Sequence, residues 1–277
     1  MSERRPPLAL FLLAVALALS AMLPIWWAAI SALRPSEEVF RYLSPISVWS
    51  LWPRHVTLAN VHALLTGSFM RALCNSMLVT SLTLLIGLPL CASAGFAFTA
   101  LRFPGRSVLF AIMVVGFLVP FDSVSLPLLQ MFQVAGLQNS YVGLLLPALG
   151  NGLAMFLFRQ FFLTVPDELR EAAMIDGLGW FGIFVRIYLP LSKRAIIAAG
   201  MILFVFQWQA YLWPLLIAPS PDYHVASVAI AQFAGQLDVD YAQMLGGAAL
   251  AALPPMIVLL FLQRYFTSSI AATGGKE

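Results

Sequence analysis

Long runs without a charged residue constrain this chain more than any other feature. They cover Pro6–Leu33, Ala72–Leu101, Ala195–Pro221 and Tyr241–Gln263. The stretch Ser107–Phe158 carries only Asp122 and is long enough for two crossings. A helix crosses the hydrocarbon core with roughly 20 apolar residues. Gln133–Ser140 has turn composition and divides that stretch. The expected fold is all-α, with about six transmembrane helices.

Composition agrees. Of 277 residues, 61% are hydrophobic and 10% charged, with mean hydropathy +0.90. A soluble domain carries roughly 25% charged residues. The net charge of +3 and the lack of a basic tract argue against nucleic acid as a partner. Cys74 and Cys91 stand about 25 Å apart along one helix, beyond disulfide reach. His55, His62 and His224 form no ligand cluster with them, so no metal site is expected.

Arg4 and Arg5 followed by Ala16-Leu17-Ala18 imitate a signal peptide. The apolar run is longer than the roughly 7–15 residues of such a leader, so it reads as a retained first span. The expected organisation is a first helix over 8–33, an external loop over 34–71, a five-helix core over 72–265, and a tail over 266–277. Within the core lies a cytoplasmic loop, 161–194.

Lys and Arg set the orientation. Arg34, Arg41, Arg54 and Arg71 fall on one side. Arg4, Arg5, Arg102, Arg106, Arg159, Arg170, Arg186, Lys193, Arg194, Arg264 and Lys276 fall on the other. Both termini are therefore expected in the cytoplasm. Trp49, Trp52 and Pro53 suit the outer interface.

The cytoplasmic loop reads Thr164-Val-Pro-Asp-Glu-Leu-Arg-Glu-Ala-Ala-Met-Ile-Asp-Gly177. Pro166 suits a first helical turn, and Asp167 and Glu168 complement its dipole. Gly177 suits the left-handed position after the end. Leu169, Ala172 and Ala173 fall on one face. An apolar segment, Trp180–Leu189, comes next and is expected to stop at Pro190. Such a helix reads equally well as a docking ridge or as an interfacial helix on the headgroups.

The spacing Glu171-Ala172-Ala173, Gly177, Ile187, Leu189-Pro190, with Asp176 before the glycine, resembles the signature loop of bacterial ATP-binding-cassette importer permeases. Leu33–Phe40, Arg102–Arg106, Phe156–Phe162 and Gln263–Phe266 resemble the maltose-type carbohydrate permeases, in particular their second permease subunit. Phe156–Phe162 and Tyr211–Ile217 are also similar to the glycerol-phosphate permeases of that family.

The resemblance implies type I importer architecture and a multi-pass subunit of the bacterial inner membrane. It implies a heterodimer with another permease subunit, two ATPase subunits carrying ATP and Mg, and an extracytoplasmic solute-binding protein. Glu171, Ala172, Ala173, Asp176 and Gly177 would couple to the ATPase. The chain departs from the family at Trp208-Gln209, where Trp-Asn is usual, and in its tail, Ser269–Glu277.

The chain lacks GxxxxGK[ST], and no Ser/His/Asp or Cys/His set stands out, so a catalytic role is not expected. Asp122 is the one acid within the apolar regions; it reads as a solvated helix end or as part of a solute path. Gln207, Trp208, Gln209, Tyr211 and Trp213 read as interhelical bonds with an aromatic belt, or as a sugar path. Arg34, Glu37 and Glu38 read as a surface for a binding protein or as a solvated loop. The alternatives are the same machinery importing glycerol-3-phosphate or a glycerophosphodiester, an ion-coupled secondary transporter, or a polytopic membrane enzyme. A secondary transporter would want more buried acids.

Overall fold

The computed structural model describes residues 8–235 and 239–273, with side-chain surroundings as far as Gln263. Arg4, Arg5 and Lys276 lie outside the described residues, as do the side chains of Arg264 and of the 266–277 tail. The described secondary structure is helical: α1 Leu8–Ser31, α2 Ala59–Thr66, α3 Ser68–Ala100, α4 Arg106–Leu118 and α5 Phe121–Val134. Next come α6 Tyr141–Leu149, α7 Gly152–Phe162, α8 Asp167–Ile175 and α9 Trp180–Leu191. The last are α10 Lys193–Trp208, α11 Leu212–Ile217, α12 Ala226–Ala234 and α13 Tyr241–Thr273.

Four segments are long and apolar enough to cross a membrane: α1, α3, Tyr141–Phe162 and Tyr241–Gln263. Two bent pairs, α4 with α5 at 101° and α9 with α10 at 84°, bring the count to 6 if each pair is one span. The sequence predicts one span across the first pair, and for the second a cytoplasmic segment ending at Pro190 followed by a span from Ala195. The breaks fall at Pro120 and at Ser192. The Gln133–Ser140 turn is present, with Gly136 and Asn139 both at positive φ.

The chain forms two compact units, Met1–Arg71 with Ala229–Met256, and Ala72–Val228 with Ile257–Glu277. In the first, Arg34 is buried and donates from a guanidinium nitrogen to the Ser50 carbonyl at 2.9 Å. Burial lowers its pKa, opposed by the charges of Glu38 and Tyr42. Glu38 is also buried and meets His55 Nδ1 at 2.9 Å. The Asn60 amide donates to the carbonyls of Ala32 and Arg34 at 3.2 and 2.7 Å. Ser36 donates to Asp240. Of the three charges expected to be solvated or to meet a binding protein, only Glu37 is exposed; Arg34 and Glu38 hold the loop together.

In the second unit, α3 approaches α7 closely at Gly95. A Cβ there would lie 2.7 Å from Phe158 Cβ and 3.0 Å from the Arg159 nitrogen, so only glycine allows this approach. Asn75, on α3, clamps three partners. Its amide donates to the carbonyls of Asp222 and His224 at 2.8 and 2.9 Å. Its oxygen accepts from the Tyr141 hydroxyl at 2.9 Å. Beside it, Ser76 Oγ accepts from the Ala226 N–H at 2.8 Å. Replacing Asn75 by Leu leaves buried groups unpaired, at about 2 kcal/mol. The purified protein is expected to melt several degrees lower, with faster proteolysis near Asp222. Unchanged melting and cleavage would show that the clamp bears no load.

Pro190 does not end its helix. Hydrogen bonding widens to a π turn over Phe184–Tyr188, where the Leu189 N–H donates to the Phe184 carbonyl. Proline has no N–H to give to the preceding turn, and the wider turn absorbs that loss. The helix stops two residues later, where the Ser192 N–H is shared by the carbonyls of Tyr188 and Leu189 at 3.1 Å each.

Candidate functional site

Two sites emerge, both in the second unit. The first is the α8 turn. Pro166 occupies the N-cap position rather than the first turn, and Asp167 and Glu168 open the helix. At the far end Gly177 has φ +81°. The Leu178 N–H donates to the Ala173 carbonyl at 2.9 Å and the Gly177 N–H to the Met174 carbonyl at 3.1 Å. This six-to-one and five-to-two pair is the Schellman motif, which satisfies the last carbonyls only with a left-handed residue at 177.

The alanine pair divides. Ala173 is buried among Phe162, Ile183, Phe184 and Tyr188. Ala172 is exposed, in line with Leu169 at 45% and Ile175 at 87%. These three residues, three apart, form an apolar ridge on an otherwise charged helix. Glu171 and Asp176 are exposed beside it. Ala173 therefore leaves the face predicted for it and serves as the anchor. Arg170 pairs with Asp167 at 2.8 Å and stands 4.0 Å from Glu171. Both carboxylates are largely exposed, so these pairs add little stability.

Beneath the anchor sits Phe96 of α3, which sequence reasoning missed. Its ring centroid lies 5.1 Å from Phe184, 4.9 Å from Tyr188 and 6.4 Å from both Phe162 and Trp180. Through Ala173, α8 packs into this aromatic cluster, which also holds Phe96 of α3 and Phe158 and Phe162 of α7. One phenylalanine among many in an apolar run gives no sign of such a role.

The second site is a cavity of about 820 Å³. Three interruptions in the helices border it: Val119-Pro120, Gly150-Asn151 and Ala210-Tyr211. Irregular backbone at membrane depth survives where it faces a cavity or buried protein. Each break is partly satisfied locally. Asn151 Oδ1 accepts from the Ala154 N–H at 3.0 Å, and the Ala210 carbonyl accepts from Ser227 Oγ at 2.6 Å. The Cys91 thiol lies 3.6 Å from the Leu149 carbonyl.

Of the residues predicted for a solute path, Asp122, Gln207, Tyr211 and Trp213 line this one cavity, and Gln209 does not. Asp122 stands in the first turn of α5. Gln207 is 9% exposed and lines the cavity. Trp213 is buried; its Nε1 donates to the Gly143 carbonyl at 2.9 Å, and its ring meets Phe121 and Phe132 edge-on. That indole serves as a wall. Asn151 joins the lining; the Gly-Asn-Gly turn at 150–152 was the available signal.

Comparisons with known proteins agree with this architecture. Residues 87–271 match the family described as binding-protein-dependent transport system inner membrane component. The arabinooligosaccharides transport permease AraQ of Halalkalibacterium halodurans is 29% identical, over 100% of both chains. The sn-glycerol-3-phosphate transport permease UgpE of Escherichia coli is 31% identical, over 98% of both. The lactose transport permease LacG of Rhizobium radiobacter is 32% identical, over 69% of this chain and 68% of its own. A solved bacterial ABC transporter involved in import of the acidic polysaccharide alginate shares the fold, with TM-score 0.80 at 19% identity over 94% of this chain and 95% of its own. With four to six candidate spans, the signature loop and a family match over most of its length, this chain belongs to the inner membrane components of binding-protein-dependent transport systems.

Proposed function

We propose that the chain is one of two permease subunits of an ATP-driven importer that carries a carbohydrate across the bacterial inner membrane by alternating access. The observation that carries this reading is the α8 turn: an exposed apolar ridge, Leu169–Ala172–Ile175, on a helix anchored by Ala173 to the aromatic cluster. An exposed ridge of that kind calls for a protein partner. The partners are a second permease subunit, two ATPase subunits and an extracytoplasmic solute-binding protein. Glu171, Ala172, Ala173, Asp176 and Gly177 form the coupling element.

ATP and Mg reside on the ATPase subunits, since this sequence has no phosphate-binding loop. Their closure on ATP moves α8, and the spans open outward; hydrolysis returns them inward. Both termini lie in the cytoplasm, as the Lys and Arg distribution supports. Relatives named for arabinooligosaccharides and lactose support a carbohydrate, and UgpE supports glycerol-3-phosphate as the second reading.

The test is uptake by vesicles holding the complete complex. Uptake is expected to need ATP and the binding protein, and to stop with vanadate. The chain purified alone is expected to hydrolyse no ATP. Uptake driven by an ion gradient without ATP would replace this reading with a secondary transporter.

A further inference from the structure

We infer that the 820 Å³ cavity is this chain's own solute subsite, built for a neutral polyhydroxylated solute and closed to phosphorylated ones. The inference rests on the importer reading and narrows its substrate class. A cavity of this volume lies within the roughly 300–1,000 Å³ of small-molecule sites.

Its polar groups are few. Gln207, 9% exposed, brings an amide with two donors and an acceptor to the lining. A hydroxyl, which both donates and accepts, matches such an amide. The Asn151 side chain uses its oxygen on the Ala154 N–H, leaving its amide donors. Tyr211, 43% exposed, adds a hydroxyl and a ring face. Phe117 and Phe206 are apolar walls suited to the C–H side of a sugar ring.

The charge in the lining is negative. No Lys, Arg or His lines the cavity, whereas Asp122 does. Asp122 also occupies the first turn of α5, one of the helix starts in the lining that would attract an anion. The carboxylate takes that favourable position itself, and no ion pair to it exists among the described residues. A phosphate entering the cavity meets a carboxylate with no cation to offset it. A hydroxyl meets an acceptor.

The test uses the complete complex in nanodiscs, with exposed Cys74 replaced by Ser and a probe introduced as Ala210→Cys. Labelling rates are measured with a cationic and an anionic methanethiosulfonate, each normalised to free cysteine. The cationic reagent is expected to react at least about tenfold faster, the lower range for focusing by a charged cleft. Asp122→Asn should remove most of that ratio. Lactose or an arabino-oligosaccharide should slow labelling, and sn-glycerol 3-phosphate at equal concentration should not, unless Asp122 is changed to Asn.

No labelling by either reagent would overturn the subsite. Equal rates, or a faster anionic reagent, would overturn its charge selection. Protection by glycerol 3-phosphate equal to that by the sugars, or by no solute at all, would overturn the solute class. ATP-dependent uptake by the same complex in proteoliposomes is measured alongside. Uptake that persists through any of these failures leaves the importer reading standing and removes only the subsite.

Discussion

Gly177→Val is expected to abolish solute uptake by the assembled complex, while Gly177→Asn keeps most of it. The reason is handedness. Residue 177 holds φ +81°, and a Cβ built there meets nothing within 4 Å. The damage therefore comes from the backbone rather than from crowding. An L-residue in the left-handed region costs roughly 1–2 kcal/mol, and β-branching adds to it. Asn tolerates that region and stands in for Gly at such helix ends. With Val the cap opens, the carbonyls of Ala173 and Met174 lose their partners, and the last turn of α8 unwinds under Ile175. Uptake should fall at least about tenfold, the weight of 1.4 kcal/mol. ATPase activity should be lost or continue without transport. Preference between two solutes should not change, because the cavity lies elsewhere. Uptake and ATPase activity measured side by side decide it. Normal rates with Val, or equal damage from Val and Asn, would remove the backbone argument and the coupling assignment with it.

The neighbouring alanines should behave as opposites. Ala173→Leu forces three extra carbons against Phe162, Ile183 and Tyr188, and overpacking of that kind costs about 1–3 kcal/mol. The protein should melt lower and yield less folded complex. Ala172→Phe places its ring in the open, so melting should stay as it was. The ATPase should nevertheless fail to co-purify, since the ridge no longer fits a close-fitting partner. A melting loss for Ala172→Phe, or full ATPase retention with normal uptake, would place the docking surface elsewhere.

The contrast marks what the sequence could convey. Gly177 was legible because a glycine after a helix pattern has few other uses. The spans were legible because charge is so costly in lipid. The division between Ala172 and Ala173 was not, since both are small and apolar and only packing separates them. The breaks at Pro120, Asn151 and Tyr211 were only faintly marked, by Asp122 after the proline and by the Gly-Asn-Gly at 150–152. A helix apolar on every side has no phase, so its interruptions leave no periodic trace. The amides and the acid of the cavity stood out for their chemistry, but their convergence depends on those breaks. Gln209 shares the chemistry of Gln207 and lies two residues on, yet it does not line the cavity.

The π turn at Phe184–Tyr188 gives the loop's spacing a meaning beyond composition. An α-helix advances about 100° per residue. A π turn holds one more residue than an α turn and so resets the angle between the helical segments on its two sides. Removing one residue there would restore a regular ladder and swing α8 by more than a quarter of a revolution. Leu169, Ala172 and Ile175 would keep their chemistry and point in another direction. The interval from Gly177 to Leu189-Pro190 is an angular setting: it aims the ridge, as the cut of a key's shank aims its teeth.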